Sequence, residues 1–187
     1  MPIRPTMETL VETLRKMVAD EEEEHFTDEE LEAKLDAHRT QAVQARLWGL
    51  HEMIDLNMVY RIFNHAKGWW EDEAILYDPN GNVISDTLYT QNSVTGQWTF
   101  TDDASNFMPI RVTGYHYDRY AAAVDALEPW LATLKEQYTF STGGVGAGAA
   151  HRSGVSQKYF QVRDLMKHYL SRRPVRIIPS SRSDLEP

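Results

Sequence analysis

The 187-residue chain is 42% hydrophobic and carries a net charge of −9, so it can form an ordinary hydrophobic core and is acidic overall. It has no cysteine, which excludes disulfides, thiolate metal sites and cysteine nucleophiles. No apolar run is long enough to cross a bilayer, no secretory leader is expected, and the acidic balance argues against a nucleic-acid-wrapping surface.

Acidic and basic residues are concentrated in different parts of the sequence. The segment 20–36 carries Asp20, Glu21, Glu22, Glu23, Glu24, Asp28, Glu29, Glu30, Glu32 and Asp36. The C-terminal part carries Arg152, Lys158, Arg163, Lys167, Arg172, Arg173, Arg176 and Arg182. This asymmetry favours head-to-tail contacts between copies or docking on an acidic partner, and solvated faces of opposite sign are the alternative.

Helical spacing of apolar residues predicts two helices in the first part of the chain. The first is expected over 6–18, and the acidic segment after it is expected to be a solvated loop, because adjacent like charges repel. The second is expected from residue 28 to about residue 46. It starts with a capping box, in which Thr27 and Glu30 each accept a hydrogen bond from the other's backbone N–H. Its buried side is expected to carry Leu31, Leu35, Ala42 and Val43.

The middle of the chain is predicted to be β-structure. The strands are expected at Leu56–Ile62, Ala74–Tyr77, Val83–Leu88, Gln97–Thr101 and Ile110–Tyr117. Asn80-Gly81 within 78–82 is a strong turn signal and predicts a hairpin. These strands are interpreted as one small antiparallel sheet, inserted between helices at about 52–117.

Two further helices and an arm are predicted in the C-terminal part. A third helix is expected over 118–137, with a kink or break at Pro129, followed by a glycine-rich loop over 139–150. A fourth helix is expected over 153–173 and ends there because Pro174 cannot continue it. The chain is thus predicted to be an α+β protein: a bundle of about four helices over 1–173 with the β insertion, and an extended C-terminal arm over 174–187. A disordered tail is the alternative for the arm.

None of the patterns that suggest chemistry completes a known site. The glycine-rich loop lacks the Gly-Lys-Ser/Thr that a phosphate-binding loop needs, and Asp78, Asn80 and Asn82 lack the glycine and glutamate positions of a calcium loop. The seven histidines show no HxxxH or HExxH spacing, and no nucleophile elbow is present. No catalytic, cofactor-binding or metal-ligating residue is therefore predicted. The five tryptophans are expected mainly in the core, with some as interface anchors.

Several segments resemble the head-to-tail connector, or adaptor, family of tailed bacteriophages. They are Phe26–Leu31 with His38-Arg39, Gly96–Phe100, Gly114–Ala123, and Tyr138–Ser141 followed by Arg152-Ser153 and Ser156–Lys158. The likeness covers most of the chain by order of elements. Pro129 and the length of the glycine-rich loop depart from the family's pattern.

The resemblance implies a structural virion protein of the phage neck, assembled in the host cytoplasm. It implies a homo-oligomeric ring, a dodecamer, that binds beneath the portal protein and is followed by head-completion or stopper and tail proteins. Genomic DNA would pass through the channel without sequence-specific binding, and the negative charge suits a channel wall that does not retain DNA. The C-terminal helix and arm would reach the portal, which points to Arg172, Arg173, Val175, Arg176, Ile177 and Ile178. An arm that alternates apolar and basic residues can also add to a sheet edge.

Two other functions remain open from the sequence. One is a small metal- or ligand-dependent enzyme, with a histidine site assembled by the fold. The other is a generic protein-interaction domain. Metal content would identify the first, and a gene neighbourhood that does not encode portal and capsid proteins would favour the second.

Overall fold

Seven strands lie between two pairs of helices and form two antiparallel sheets. The computed structural model describes residues 3–21, 24–54, 56–143 and 149–173, and this part of the chain is a mixed α+β fold. The helices are α1 Glu8–Met17, α2 Asp28–Asp36, α3 Arg119–Gly143 and α4 Ala149–Leu170. The strands are β1 Arg39–Arg46, β2 Trp48–Ile54, β3 Asn57–Asn64, β4 Ile75–Tyr77, β5 Tyr89–Asn92, β6 Gln97–Phe100 and β7 Arg111–Tyr117.

The β-region is larger than the predicted insertion at 52–117 and is divided in two. A three-stranded sheet has the order β1-β7-β4, and a four-stranded sheet has the order β2-β3-β6-β5. The prediction of a single sheet is therefore wrong, because there are two sheets in the described residues. The predicted extent is also wrong, because the β-structure begins at Arg39. The turn predicted at 78–82 is confirmed: Asp78 accepts hydrogen bonds of 2.8 Å from the N–H groups of Asn80 and Asn82. The strand predicted at Val83–Leu88 is wrong, because Val83 makes only an isolated bridge to Tyr77 and Asp86–Leu88 is a 3-10 helix.

The second helix is shorter than predicted, because residues 39–46 pair with β7. α2 ends at Asp36, and β1 runs antiparallel to β7 from Arg39 opposite Tyr117 to Arg46 opposite Arg111. Val43, expected on a buried helix face, is 68% exposed. Pairing with a strand some seventy residues away thus overrides the local pattern, as tertiary contacts do for short segments of weak propensity.

Two hydrophobic clusters meet at a pair of consecutive tryptophans. Trp69 belongs to the cluster formed mainly by the helices, whereas Trp70 belongs to the cluster between the sheets. Both side chains are fully buried, as is Trp98, and this part of the tryptophan prediction is confirmed. Trp130 is partly buried against the helical cluster. Trp48 is 55% exposed and is not a core residue.

The third helix continues through Pro129 instead of breaking there. α3 extends from Arg119 to Gly143 and includes the proline. Trp130, next to it, packs edge-to-face on Phe26 with ring centroids 6.0 Å apart, so tertiary contacts support the helix at this point.

α3 extends beyond its predicted end, whereas α4 begins and ends earlier than predicted. The expected loop 139–150 is helical over its first and last residues, and residues 144–148 lie outside the described residues. α4 ends at Leu170 and is followed by a turn over 171–173. The predicted arm, 174–187, lies outside the described residues.

Candidate functional site

The hairpin formed by β2 and β3 projects beyond the four-stranded sheet. The two strands pair along their whole length, from Trp48 opposite Asn64 to Ile54 opposite Asn57. β6 pairs only with the last three residues of β3, 62–64. Within the described part of the chain, residues 51–59 therefore have no strand neighbour outside the hairpin. Tyr60 marks the point of departure, since it exchanges hydrogen bonds with Asp103 and Ala104 at 2.9 and 2.8 Å.

Large apolar side chains are exposed on both faces of this hairpin. Because side chains alternate along a strand, Trp48 and Leu50 lie on one face of β2 and Met53 lies on the other. Met58 is directly opposite Met53 in the register. Their exposed fractions are 55% for Trp48, 49% for Leu50, 63% for Met53 and 54% for Met58. A strand pair that served only the core would expose polar side chains on at least one face.

Leu56, in the turn of the hairpin, is exposed at a position where leucine is locally unfavourable. Its side chain is 93% exposed, and its backbone has a φ of +66°. The left-handed region costs a residue other than glycine about 1–2 kcal/mol, and glycine or asparagine is the usual occupant. Neither burial nor backbone preference explains a leucine here, so the residue marks this tip as a functional candidate.

A second feature is a cavity of about 650 Å³ at the N-terminus of α3. Three cationic side chains line it, Lys67, Arg119 and Arg172, together with the aromatic rings of Trp69 and Tyr120. Arg119 donates a hydrogen bond of 2.9 Å to the Tyr120 hydroxyl. Arg172, with a further contribution from Arg119, lowers the pKa of Tyr120 by stabilising its phenolate.

His116 also lines this cavity and is held in its neutral form. Burial lowers its pKa to about 4, and the positive charge of Lys67 acts in the same direction. The ring of His65 lies 6.2 Å from that of His116, and Trp70 lies 5.4 Å from it. Two adjacent histidines are therefore present, but the pair has no third ligand: in the described residues no group of three or more His, Asp or Glu side chains could hold a metal ion.

The portal-binding residues predicted from the sequence are only partly placed. Arg172 and Arg173 lie in the turn that follows α4, and Arg172 lines the basic cavity. Val175, Arg176, Ile177 and Ile178 lie outside the described residues. Separately, no helix in the described part of the chain is long and apolar enough to span a membrane.

Sequence reasoning missed both the hairpin tip and the cavity. The alternation over Leu56–Ile62 predicts a strand and gives no signal of an exposed hairpin tip. The cations of the cavity are distant in sequence and come together only in the fold. Comparison with protein-family models, with curated proteins and with solved structures gave no match.

Proposed function

We propose that the protein is a head-to-tail connector (adaptor) subunit, which forms a ring beneath the portal, extends the DNA channel and joins the head to the tail. The resemblance of its segments to that family supports the proposal. The observation that carries it is the apolar hairpin with the strained, exposed Leu56 at its tip. Such a surface is costly in a free monomer and becomes favourable when a partner covers it.

We propose that neighbouring copies of the same chain cover the hairpin. A partner that docked on one side would cover one face of the hairpin, whereas Trp48 and Met53 expose large apolar side chains on opposite faces. Insertion between subunits covers both faces at once. A projecting β-hairpin also offers the free backbone groups of its edge strand, β2, for pairing with a neighbour.

The finer architecture is part of the same proposal. The helices are taken to form the bundle of the connector domain, which is supported by one hydrophobic cluster that contains buried residues from α1, α2, α3 and α4. The Tyr169 hydroxyl donates a hydrogen bond of 2.8 Å to the Met17 carbonyl and joins the ends of α4 and α1. Residues 174–187 are proposed as the arm that docks on the portal, together with Arg172 and Arg173.

The ring is tested by the mass and shape of the purified protein. Light scattering coupled to size exclusion, with negative-stain microscopy, should give a closed ring with a central hole, either alone or on addition of portal protein. Replacement of Met53 and Met58 by serine should reduce assembly, because it removes apolar area from the hairpin. Val83→Ser, at a position 64% exposed outside the hairpin, is the matched control and should assemble normally. A chain that stays monomeric with and without portal would contradict the proposal, and defined oligomers without a ring would favour a generic interaction domain.

The arm is tested by truncation after Arg173. The shortened chain should lose co-purification with portal while its helical circular-dichroism signal is unchanged. The proposed docking role of 174–187 is wrong if the truncated chain binds portal as well as the full chain does.

A further inference from the structure

The basic cavity concentrates positive charge that the rest of the fold does not neutralise. Among the residues that the structure describes, Lys67, Arg119 and Arg172 form no ion pair. The carboxylate of Asp118 also lines the cavity, and its Oδ1 accepts hydrogen bonds of 3.1 Å from the backbone N–H groups of Tyr120 and Ala121 as the cap of α3. The lining therefore has three cations and one carboxylate, which leaves an excess of positive charge. Three cations around one cavity repel each other, which destabilises the fold. This cluster is unexpected in a chain of net charge −9.

The position of Arg119 adds to that destabilisation. It is the first residue of α3, where the helix dipole favours negative side chains and disfavours positive ones. Trp69 forms a buried part of the cavity wall. Its side chain is 1% exposed, and its indole N–H is buried without a hydrogen-bond partner in the described part of the chain. The three cations, which have no ion pair, are suited to an acidic occupant.

The same chain carries an acidic groove of complementary charge. It has a volume of about 520 Å³, runs along α1, and is lined by Glu8, Glu12, Glu21 and Asp28 with Arg15 and Lys16. The two cations are already engaged, Arg15 by Asp28 at 2.7 Å and Lys16 by Glu12 at 2.6 Å. Glu8 and Glu21 are exposed and have no ion pair within the described ranges. The groove therefore retains two uncompensated negative charges.

We propose that the exposed Glu8 and Glu21 beside α1 of one copy bind the cations that line the basic cavity of the next copy. This inference rests on the proposed ring and names the polar contact that joins each subunit to the next one. Subunits of charge −9 repel each other, so assembly requires patches of opposite sign at the points of contact. Because the two patches are different surfaces of one chain, the contact is heterologous, and repetition of such a contact generates a ring when the rotation closes.

Charge reversal in two complementary variants tests the contact. The cavity variant is Lys67→Glu with Arg119→Glu, and the groove variant is Glu8→Lys with Glu21→Lys. Arg172 is left unchanged because the proposed portal arm begins beside it. Each variant alone should assemble at least about tenfold more weakly than the unmodified chain, because like charges then face each other. An equimolar mixture should regain assembly as rings of alternating variants, since each altered patch then meets an opposite charge.

A matched control separates the local contact from net charge. Arg46→Glu with Lys167→Glu lowers the net charge as much as the cavity variant does, at exposed positions outside both patches, and should assemble normally. Circular dichroism and thermal unfolding establish that each variant is folded. As a further measurement, rising salt should reduce the difference in assembly between the unmodified chain and the cavity variant, because salt screens the charges that face each other at the contact.

The outcomes distinguish this inference from the proposed function. Four results would each overturn the contact and leave the ring standing. They are normal rings from the cavity variant, loss of assembly without recovery in the mixture, equal loss in the control, and a difference between the unmodified chain and the cavity variant that salt does not reduce. If the unmodified chain forms no ring with or without portal, the proposed function fails, and this contact fails with it.

Discussion

Arg15 and Asp20 form a buried ion pair, 3.1 Å between Nη1 and Oδ2, with side chains only 6% and 1% exposed. The Asp20 carboxylate also accepts hydrogen bonds of 3.0–3.1 Å from the backbone N–H groups of Glu24, His25 and Phe26. Arg15 in turn donates to the Phe26 carbonyl at 2.8 Å. One carboxylate and one guanidinium thus organise the described part of the connection between α1 and α2.

Removal of the negative charge of this pair should destabilise the fold strongly. Asp20→Asn keeps the shape of the side chain but leaves Arg15 as a buried cation with reduced compensation. Loss of one partner of a buried pair costs about 3–5 kcal/mol, so the free energy of unfolding should fall by that order in urea denaturation. Glu12→Gln is the control, because its pair with Lys16 is exposed and should contribute little. Equal effects of the two substitutions would show that burial of the Arg15–Asp20 pair is unimportant.

Features determined by neighbouring residues could be predicted, and those determined by distant contacts could not. The capping box of α2 is present as predicted, since the Glu30 N–H donates to the Thr27 hydroxyl and the Thr27 N–H donates to the Glu30 carboxylate. The prediction of a solvated acidic loop was wrong for Asp20, because its neutralising partner, Arg15, lies on the preceding helix. β1 was missed for the same kind of reason, since it is held by β7.

The candidate sites were harder to predict than the fold. Lys67, Arg119 and Arg172 come from three separate segments, and no local spacing connects them. The strain at Leu56 depends on the sign of φ in a hairpin turn, and a leucine gives no sequence signal for a left-handed conformation. The alternation that begins at Leu56 instead predicts a strand. Such conflicts between local preference and observed structure are typical of functional positions.

The buried His116 predicts a specific loss of stability in mild acid. Its pKa is lowered from 6.5 to about 4, chiefly by burial and then by Lys67 and His65. Between these two pH values the unfolded chain binds a proton at His116 and the folded chain does not. The stabilising contribution is therefore complete above about pH 6.5 and is lost as the pH falls towards 4.

Replacement of His116 by glutamine should flatten this dependence. Urea midpoints measured at neutral pH and at about pH 5 should differ less in His116→Gln than in the unmodified chain. Part of the slope should remain, because burial also lowers the pKa of His65. Parallel pH profiles for the two chains would rule out His116 as a source of the acid sensitivity.

Leu56 should lower the stability of the free subunit and strengthen assembly. Leu56→Gly relieves the left-handed backbone and should raise the free energy of unfolding by about 1 kcal/mol, whereas Leu56→Ala keeps the unfavourable φ and should not. Both substitutions remove the side chain that is 93% exposed at the hairpin tip, so both should weaken assembly. Urea denaturation at low protein concentration measures the first effect, and light scattering at high concentration measures the second. Both measurements are needed, because a loss of stability alone could also reduce assembly. Leu56→Gly excludes that explanation, because it should be more stable than the unmodified chain and still assemble more weakly. If Leu56→Gly is more stable and assembles as well as the unmodified chain, the tip has no role in subunit contacts.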